Sequence, residues 1–265
     1  MLLLGAGPRA LLLQIAHPSV AAGVAEHSNF REDPWRRLDG TIRSYLTIVY
    51  GSTPAARAEV RRLNELHSGI TGSGYSARDP ELALWVHATL IESTIAAYDA
   101  WLEPLSREHR ARFYDESKPV GRAFGIPNRM LPADIDAFDT YYAAMLAPAG
   151  PVHPSPVARD LAGTILRPPL APLAKLVPPE VVYAVRPVLE RIPIETYSWA
   201  MWPSVGLLPA GVREEYRFRW GPLERTVSAW LVAGWQAWLP LIPTRWRWMP
   251  HARAADRRVA ALQDT

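Results

Sequence analysis

The sequence predicts an all-α protein, a single globular domain of many helices, and three observations carry that prediction. Proline follows a capping residue again and again, at Asp33-Pro34, Thr53-Pro54 and Asp79-Pro80, which is the signature of helix starts. Apolar residues between those starts recur with the helical period. No stretch shows the two-residue alternation of a strand, even in the proline-dense region from Pro148 to Pro209.

Taken in order, residues Arg9 to Val24 form a helical pattern interrupted at His17-Pro18. Proline lacks an N–H and disfavours helix at the residue before it. His17 at that break either caps it, the plainer role, or presents its ring beside free carbonyls. Asp33-Pro34 opens the next helix, with Leu38, Thr41, Ile42, Tyr45 and Val49 on its inner face and Arg37 one turn before Thr41. The helix from Thr53-Pro54 carries Val60, Leu63, His67 and Ile70 at i, i+3, i+7 and i+10, so His67 lies on the apolar stripe. A Gly/Ser-rich turn, Ser68 to Ser76, ends it.

Asp79-Pro80-Glu81 then starts a helix from Pro80 to Trp101 with apolar residues on nearly every side, among them Leu84, Trp85, Ile91 and Ile95. A helix apolar all round is central and buried, and His87 lies inside it. A neutral imidazole there needs a hydrogen-bond partner, a metal, or both. A satisfied core histidine is the commoner outcome for such a residue. Ser106 to Arg122 is an amphipathic helix whose end, Phe124-Gly125-Ile126-Pro127, is a strong C-cap pattern. Pro132 to Leu146 is a short helix with Phe138, Tyr142 and Met145 inward. Beyond Pro148, short helices such as Val181 to Arg191 alternate with proline kinks, including Pro168-Pro169 and Pro178-Pro179. Val227 to Ile242 is the most apolar segment, too short and too interrupted by Pro240 to span a bilayer. It predicts a buried helix, for which plain core is the commoner role; Trp246, Trp248, Arg245, Arg247 and Arg253 at its end offer the alternative of an edge at a membrane interface.

With 265 residues, 49% of them hydrophobic, the chain can bury a sizeable core. A formal net charge of +3, with basic residues dispersed through capped helices, gives no nucleic-acid module. The absence of cysteine excludes disulfides, thiolate haem ligation, cysteine nucleophiles and Fe–S clusters. MLLLGAGPRALLLQ lacks the basic start and cleavage site of a signal peptide, and with zero cysteines this fits a cytoplasmic protein.

Five blocks in order resemble the MpaB/rubber-oxygenase family: RALLLQIAHPSVAAGVAEHSNF (9–30), RLDGTIRSYLTIVYG (37–51), VRRLNELHSGITG (60–72), YSARDPELALWVHATL (75–90) and FGIPNRMLP (124–132). That family includes latex-clearing rubber oxygenases, which bind b-type haem, and a fungal enzyme that cleaves a prenyl chain oxidatively. The similarity covers most of residues 1–147, a family-like haem core. It fades over the proline- and Trp-rich helical remainder, 148–265. Family members usually carry a further segment ahead of this start, so the resemblance implies a missing piece or a misassigned start.

The resemblance implies a buried haem-type pocket with haem b as cofactor and His67 as the metal ligand. His67 matches the family's proximal histidine in a similar VRxLxxLH context, and Arg37 and Thr41 match the family's Arg and Thr. Arg37, Thr41 and His17 would then be cofactor-binding residues beside His67. Arg37, Thr41 and His87 would be the catalytic ones, the first two orienting or polarising oxygen and His87 moving protons or lining the pocket. The sequence departs from the family at Gly40, where the rubber-cleaving enzymes carry a lysine that closes over the distal side of the iron. Rubber cleavage is therefore not implied, and a small apolar, isoprenoid or lipid-like substrate with O2 is. Two other readings stand beside an oxygenase: a haem or lipid binding protein without turnover, and a non-haem metal enzyme using His67 and His87 with Glu65, Glu92 or Asp79.

Overall fold

The computed structural model describes residues 2–28, 34–166, 201–243 and 247–263. The chain runs α1 (Leu2–Ala16), α2 (Pro18–His27), α3 (Pro34–Tyr50), α4 (Thr53–Ser68), a two-stranded ribbon of β1 (Thr71–Gly72) and β2 (Tyr75–Ser76), α5 (Pro80–Trp101), α6 (Arg107–Ala123), α7 (Ile135–Met145) and α8 (Pro156–Leu166). After helical residues 201–206 come α9 (Ala210–Glu215), α10 (Pro222–Trp238) with a 3-10 turn at Leu239–Leu241, and α11 (Pro250–Gln263). The all-α prediction holds, with one small ribbon added in the Gly/Ser turn. Its strands pair Thr71 with Ser76 and Gly72 with Tyr75. Gly74, at φ +79, takes the left-handed conformation that the tight turn requires. The helix expected over 181–191 and the two proline pairs lie outside the described residues.

Local chemistry sets the helix ends. Asp79 accepts from the Glu81 N–H at 2.9 Å, Ser106 from His109 at 3.2 Å and Asp134 from Ala137 at 2.8 Å. For α4 the capping side chain is Ser52 and not Thr53, accepting from Ala55. The sequence shows two hydroxyls in a row, and the backbone's entry angle selects between them. At Phe124-Gly125 the amide of Ile126 donates to Gly121 and that of Gly125 to Arg122, with Gly125 at φ +85. This is the Schellman arrangement that satisfies carbonyls left over at a helix end.

α5 is the central helix. Leu84, Trp85, His87, Ala88, Thr89, Ile91, Ser93, Ile95 and Ala97 are buried along it. Against one side α1, α2 and α8 build a core around Leu12, Leu13, Ala16, Trp85 and Leu161. On another, α6 and α7 pack Tyr114 and Phe138 against Ile91 and Ile95. Burying such side chains contributes about 1.5–3 kcal/mol each. The α1–α2 break supplies a second bond between these layers. Because Pro18 ends α1, the His17 amide turns to Gln14, and the freed Leu13 carbonyl accepts from the Trp85 indole at 3.2 Å.

One charged residue lies in this core. Arg9 is 2% exposed; its guanidinium pairs with Glu92 and donates to Ser93 at 2.8 Å and to the Leu207 carbonyl at 2.7 Å. It thus ties α1 to α5 and to the segment after residue 200.

Two predicted faces are corrected. On α3 the buried residues are Ser44 and Leu46, while Thr41 and Val49 are exposed. A polar cluster turns the helix: Ser44 donates to Glu59 at 2.6 Å, and Arg62 pairs with Glu59 at 2.6 Å. Leu38's side chain lies outside the description. On α10, expected to be buried, the residues facing inward are Glu224 and Ser228, whereas Trp230 is 76% and Trp238 67% exposed. Docking on the end of α5 buries Glu224 and Ser228 and leaves most of the apolar side of the helix outside. Of the Trp/Arg set expected after it, Thr244 to Trp246 lie outside the described residues; Arg247, Trp248 and Arg253 are exposed.

Candidate functional site

The site is assembled around the amino-terminal half of α5 by the ribbon and the end of α6. The ribbon is pinned to α2: the Tyr75 hydroxyl donates to Glu26 at 2.7 Å, a His27 ring nitrogen sits 2.9 Å from the Thr71 carbonyl, and Gly23 lets the Tyr75 ring approach. That fixes the last turn of α4, which carries His67, relative to α2 and the start of α5. Asn64, one turn before His67 on the same face, donates to the Ala123 carbonyl at 3.3 Å. Two residues earlier on α6, Gly121 rests on His87, where a Cβ would come within 3.1 Å of ring atoms Cδ2 and Nε2. The last turns of α4 and His87 therefore meet the same end of α6.

His67 is half-buried, and burial together with the positive charge of Arg37 lowers its pKa. The imidazole is neutral at pH 7. Neither ring nitrogen has a hydrogen-bond partner among the described residues. Arg37 keeps solvent contact, yet its guanidinium is desolvated enough to lower its own pKa. The α3–α4 hairpin thus brings Arg37 near enough for its charge to act on His67. Thr41 follows Arg37 by one turn on α3, exposed, with its hydroxyl donating to the Arg37 carbonyl at 2.9 Å. The Cβ position at Gly40 meets nothing within 4 Å.

His87 is 8% exposed, and burial pulls its pKa down to about 4. Its Nε2 is buried without a hydrogen-bond partner among the described residues. Buried polar atoms are usually paired, so this orphan marks a place where a partner is to be supplied. His17 takes the capping role: its Nδ1 accepts from the Ser19 amide at 3.3 Å. Burial lowers its pKa, with the nearby Asp79 opposing. No described contact joins His17 to His67 or His87. Nor do the described residues contain a group of three His, Cys, Asp or Glu able to hold a metal. The two-histidine, one-carboxylate reading lacks its ligand set there, whereas a haem asks for one imidazole. Sequence reasoning missed Arg9 and Gly121. A lone arginine in an apolar run was the only available sign of the first.

Fold and site define the class as an all-α domain whose central helix carries a neutral histidine without a partner among the described residues, with a second, half-buried histidine near the end of the neighbouring α4. The chain belongs to the family described as ER-bound oxygenase mpaB/B'/Rubber oxygenase, catalytic domain, which it matches over residues 1–239. The match thus runs well past residue 147, where the block-by-block likeness fades. Two relatives are the uncharacterized proteins Mb2261 of Mycobacterium bovis and Rv2237 of Mycobacterium tuberculosis. Each is 29% identical over 146 residues, 51% of this chain and 57% of the relative. The chain thus spans little over half the length of those relatives. No solved structure matches significantly.

Proposed function

We propose that this chain is a haem b-dependent oxygenase acting on a small apolar, isoprenoid or lipid-like substrate with O2. The observation that carries the reading is the half-buried His67, whose ring has no hydrogen-bond partner among the described residues and whose basicity is lowered by burial and then by the charge of Arg37. The donor set fits the group: one unpartnered neutral imidazole, a cation for a propionate, and open space at Gly40. Haem b, when bound, supplies an iron that activates O2.

The chain's own residues do the rest. His67, kept neutral by burial and by Arg37, offers a ring lone pair as the metal ligand. Arg37 would hold a propionate or orient oxygen, and Thr41, its proton committed to the Arg37 carbonyl, steadies that turn and leaves its oxygen as an acceptor. His87 accepts or returns a proton at Nε2, the buried atom that lacks a partner. His17 would be a further cofactor-binding residue, its Nδ1 already engaged as the cap of α2. The working location is cytoplasmic, in peripheral contact with a membrane through the exposed indoles of α10; no helix among the described residues is long and apolar enough to cross one.

The test is His67→Ala, purified from cells given a haem precursor. The expected result is loss of the Soret band with helix content unchanged by far-UV circular dichroism. Full haem occupancy in the variant would overturn the assignment. Oxygen uptake with an apolar substrate distinguishes an oxygenase from a protein that only binds haem or lipid.

A further inference from the structure

Two adjoining cavities lie at the other end of α5. Trp101 is fourteen residues beyond His87, about 21 Å along the helix axis at 1.5 Å per residue. One cavity, about 390 Å³, is lined by Trp101, Pro203, Leu231, Gly234, Trp235 and Trp238. The other, about 320 Å³, shares Trp101 and Pro203 and adds Leu207, Trp220, Val232 and Ser228. Both volumes lie in the range of small-molecule sites. Gln236 holds the walls together by donating to the Ala100 carbonyl at 3.1 Å, one of the carbonyls that the end of α5 leaves free.

Beside the Gln236 amide the described lining is apolar, and two of its residues carry buried atoms without a partner among the described residues: the Ser228 hydroxyl and the Trp101 indole N–H. Ser228 is 8% exposed and faces inward from a helix whose Trp230 is exposed. A hydroxyl and an N–H desolvated together in an apolar cleft are costly unless something bonds to them.

We infer that this cleft is a binding site for an aliphatic alcohol, a flexible apolar chain ending in a neutral hydroxyl. The chain fills the space between α5, residues 201–206 and α10. The hydroxyl end accepts from the Trp101 indole N–H or exchanges a hydrogen bond with Ser228. No cation is among the described lining residues of either cavity, so against these residues a carboxylate or phosphate end would enter without a counter-charge. The exposed apolar face of α10 beside the cleft, Trp230 and Trp238 included, is where such a chain would be met. The inference does not depend on haem, and its test is run without added substrate or reductant.

The probe is 12-bromo-1-dodecanol, whose bromine quenches tryptophan fluorescence on contact, compared with 1-bromododecane and 12-bromododecanoate. Saturable quenching by the alcohol at one equivalent is expected, with weaker binding of the carboxylate. Gly234→Leu blocks the cleft: the glycine's Cβ position meets nothing within 4 Å, and leucine is the better helix former, so the variant folds. It should lose affinity at least tenfold at an unchanged or higher melting temperature. Ser228→Ala should weaken the alcohol about threefold to tenfold and leave the bromoalkane unaffected. Quenching that does not saturate, or that Gly234→Leu leaves intact, overturns the site. Equal effects of Ser228→Ala on alcohol and alkane overturn the role of the hydroxyl. A wild-type dimer that becomes monomeric in Gly234→Leu would show that a second copy of the chain fills the cleft instead.

Discussion

Replacing His87 by leucine separates a buried neutral histidine from a charged or paired one. In the folded protein burial holds the imidazole at about 4, against 6.5 when exposed. Between those values the unfolded chain binds a proton that the folded chain refuses. Stability is therefore lost as pH falls through 6.5, and the loss is complete below about 4. At ~1.4 kcal/mol per pKa unit the whole interval is worth about 3 kcal/mol, of which about 2 kcal/mol falls between pH 7 and pH 5. His87→Leu removes that dependence. At pH 7 it should sit within about 1 kcal/mol of the wild type, or above it, because it also removes the unpartnered Nε2. Urea unfolding of both proteins at pH 7 and pH 5, identically prepared, measures the difference. His17 and His67 are common to both proteins and cancel. Parallel losses between the two pH values would refute the reasoning, since His87 would then be protonated or partnered in the folded state.

Two further outcomes follow from other parts of the molecule. Arg9→Met should cost about 3 kcal/mol or more in urea unfolding, because it strips the counter-ion from Glu92 and leaves Ser93 and the Leu207 carbonyl without their donor; a change under about 0.5 kcal/mol would mean that the pair contributes nothing. The protein should co-sediment with anionic vesicles and less so as salt rises, since Trp230, Trp238 and Trp248 stand exposed on the same part of the chain as Arg225, Arg247 and Arg253. Binding to neither anionic nor neutral vesicles would assign those indoles no membrane role.

The sequence by itself determined where the helices begin and end, because those signals are local. Asp79-Pro80, Ser106 and Phe124-Gly125 act within a turn of the backbone groups they satisfy, and each does so in the structure. It also marked α5 as central, since a helix apolar on every side can be nowhere else, and it placed His67 on an inward stripe. Only the tertiary structure decided what those residues meet. His67 feels the charge of Arg37 because α3 and α4 pack as a hairpin joined at Ser44 and Glu59, and Gly121 brings the end of α6 onto the His87 ring, whose Nε2 has no partner among the described residues. Arg9 looked like an interruption of an apolar run, yet it meets Glu92 and Leu207 across 83 and 198 residues of chain. The face of α10 was equally out of reach. Its apolar pattern alone predicts the tryptophans inside, whereas docking on α5 turned Ser228 inward and left Trp230 and Trp238 outside. Propensity and capping act over one turn, whereas burial and pairing are fixed by contacts that exist only once distant segments have met.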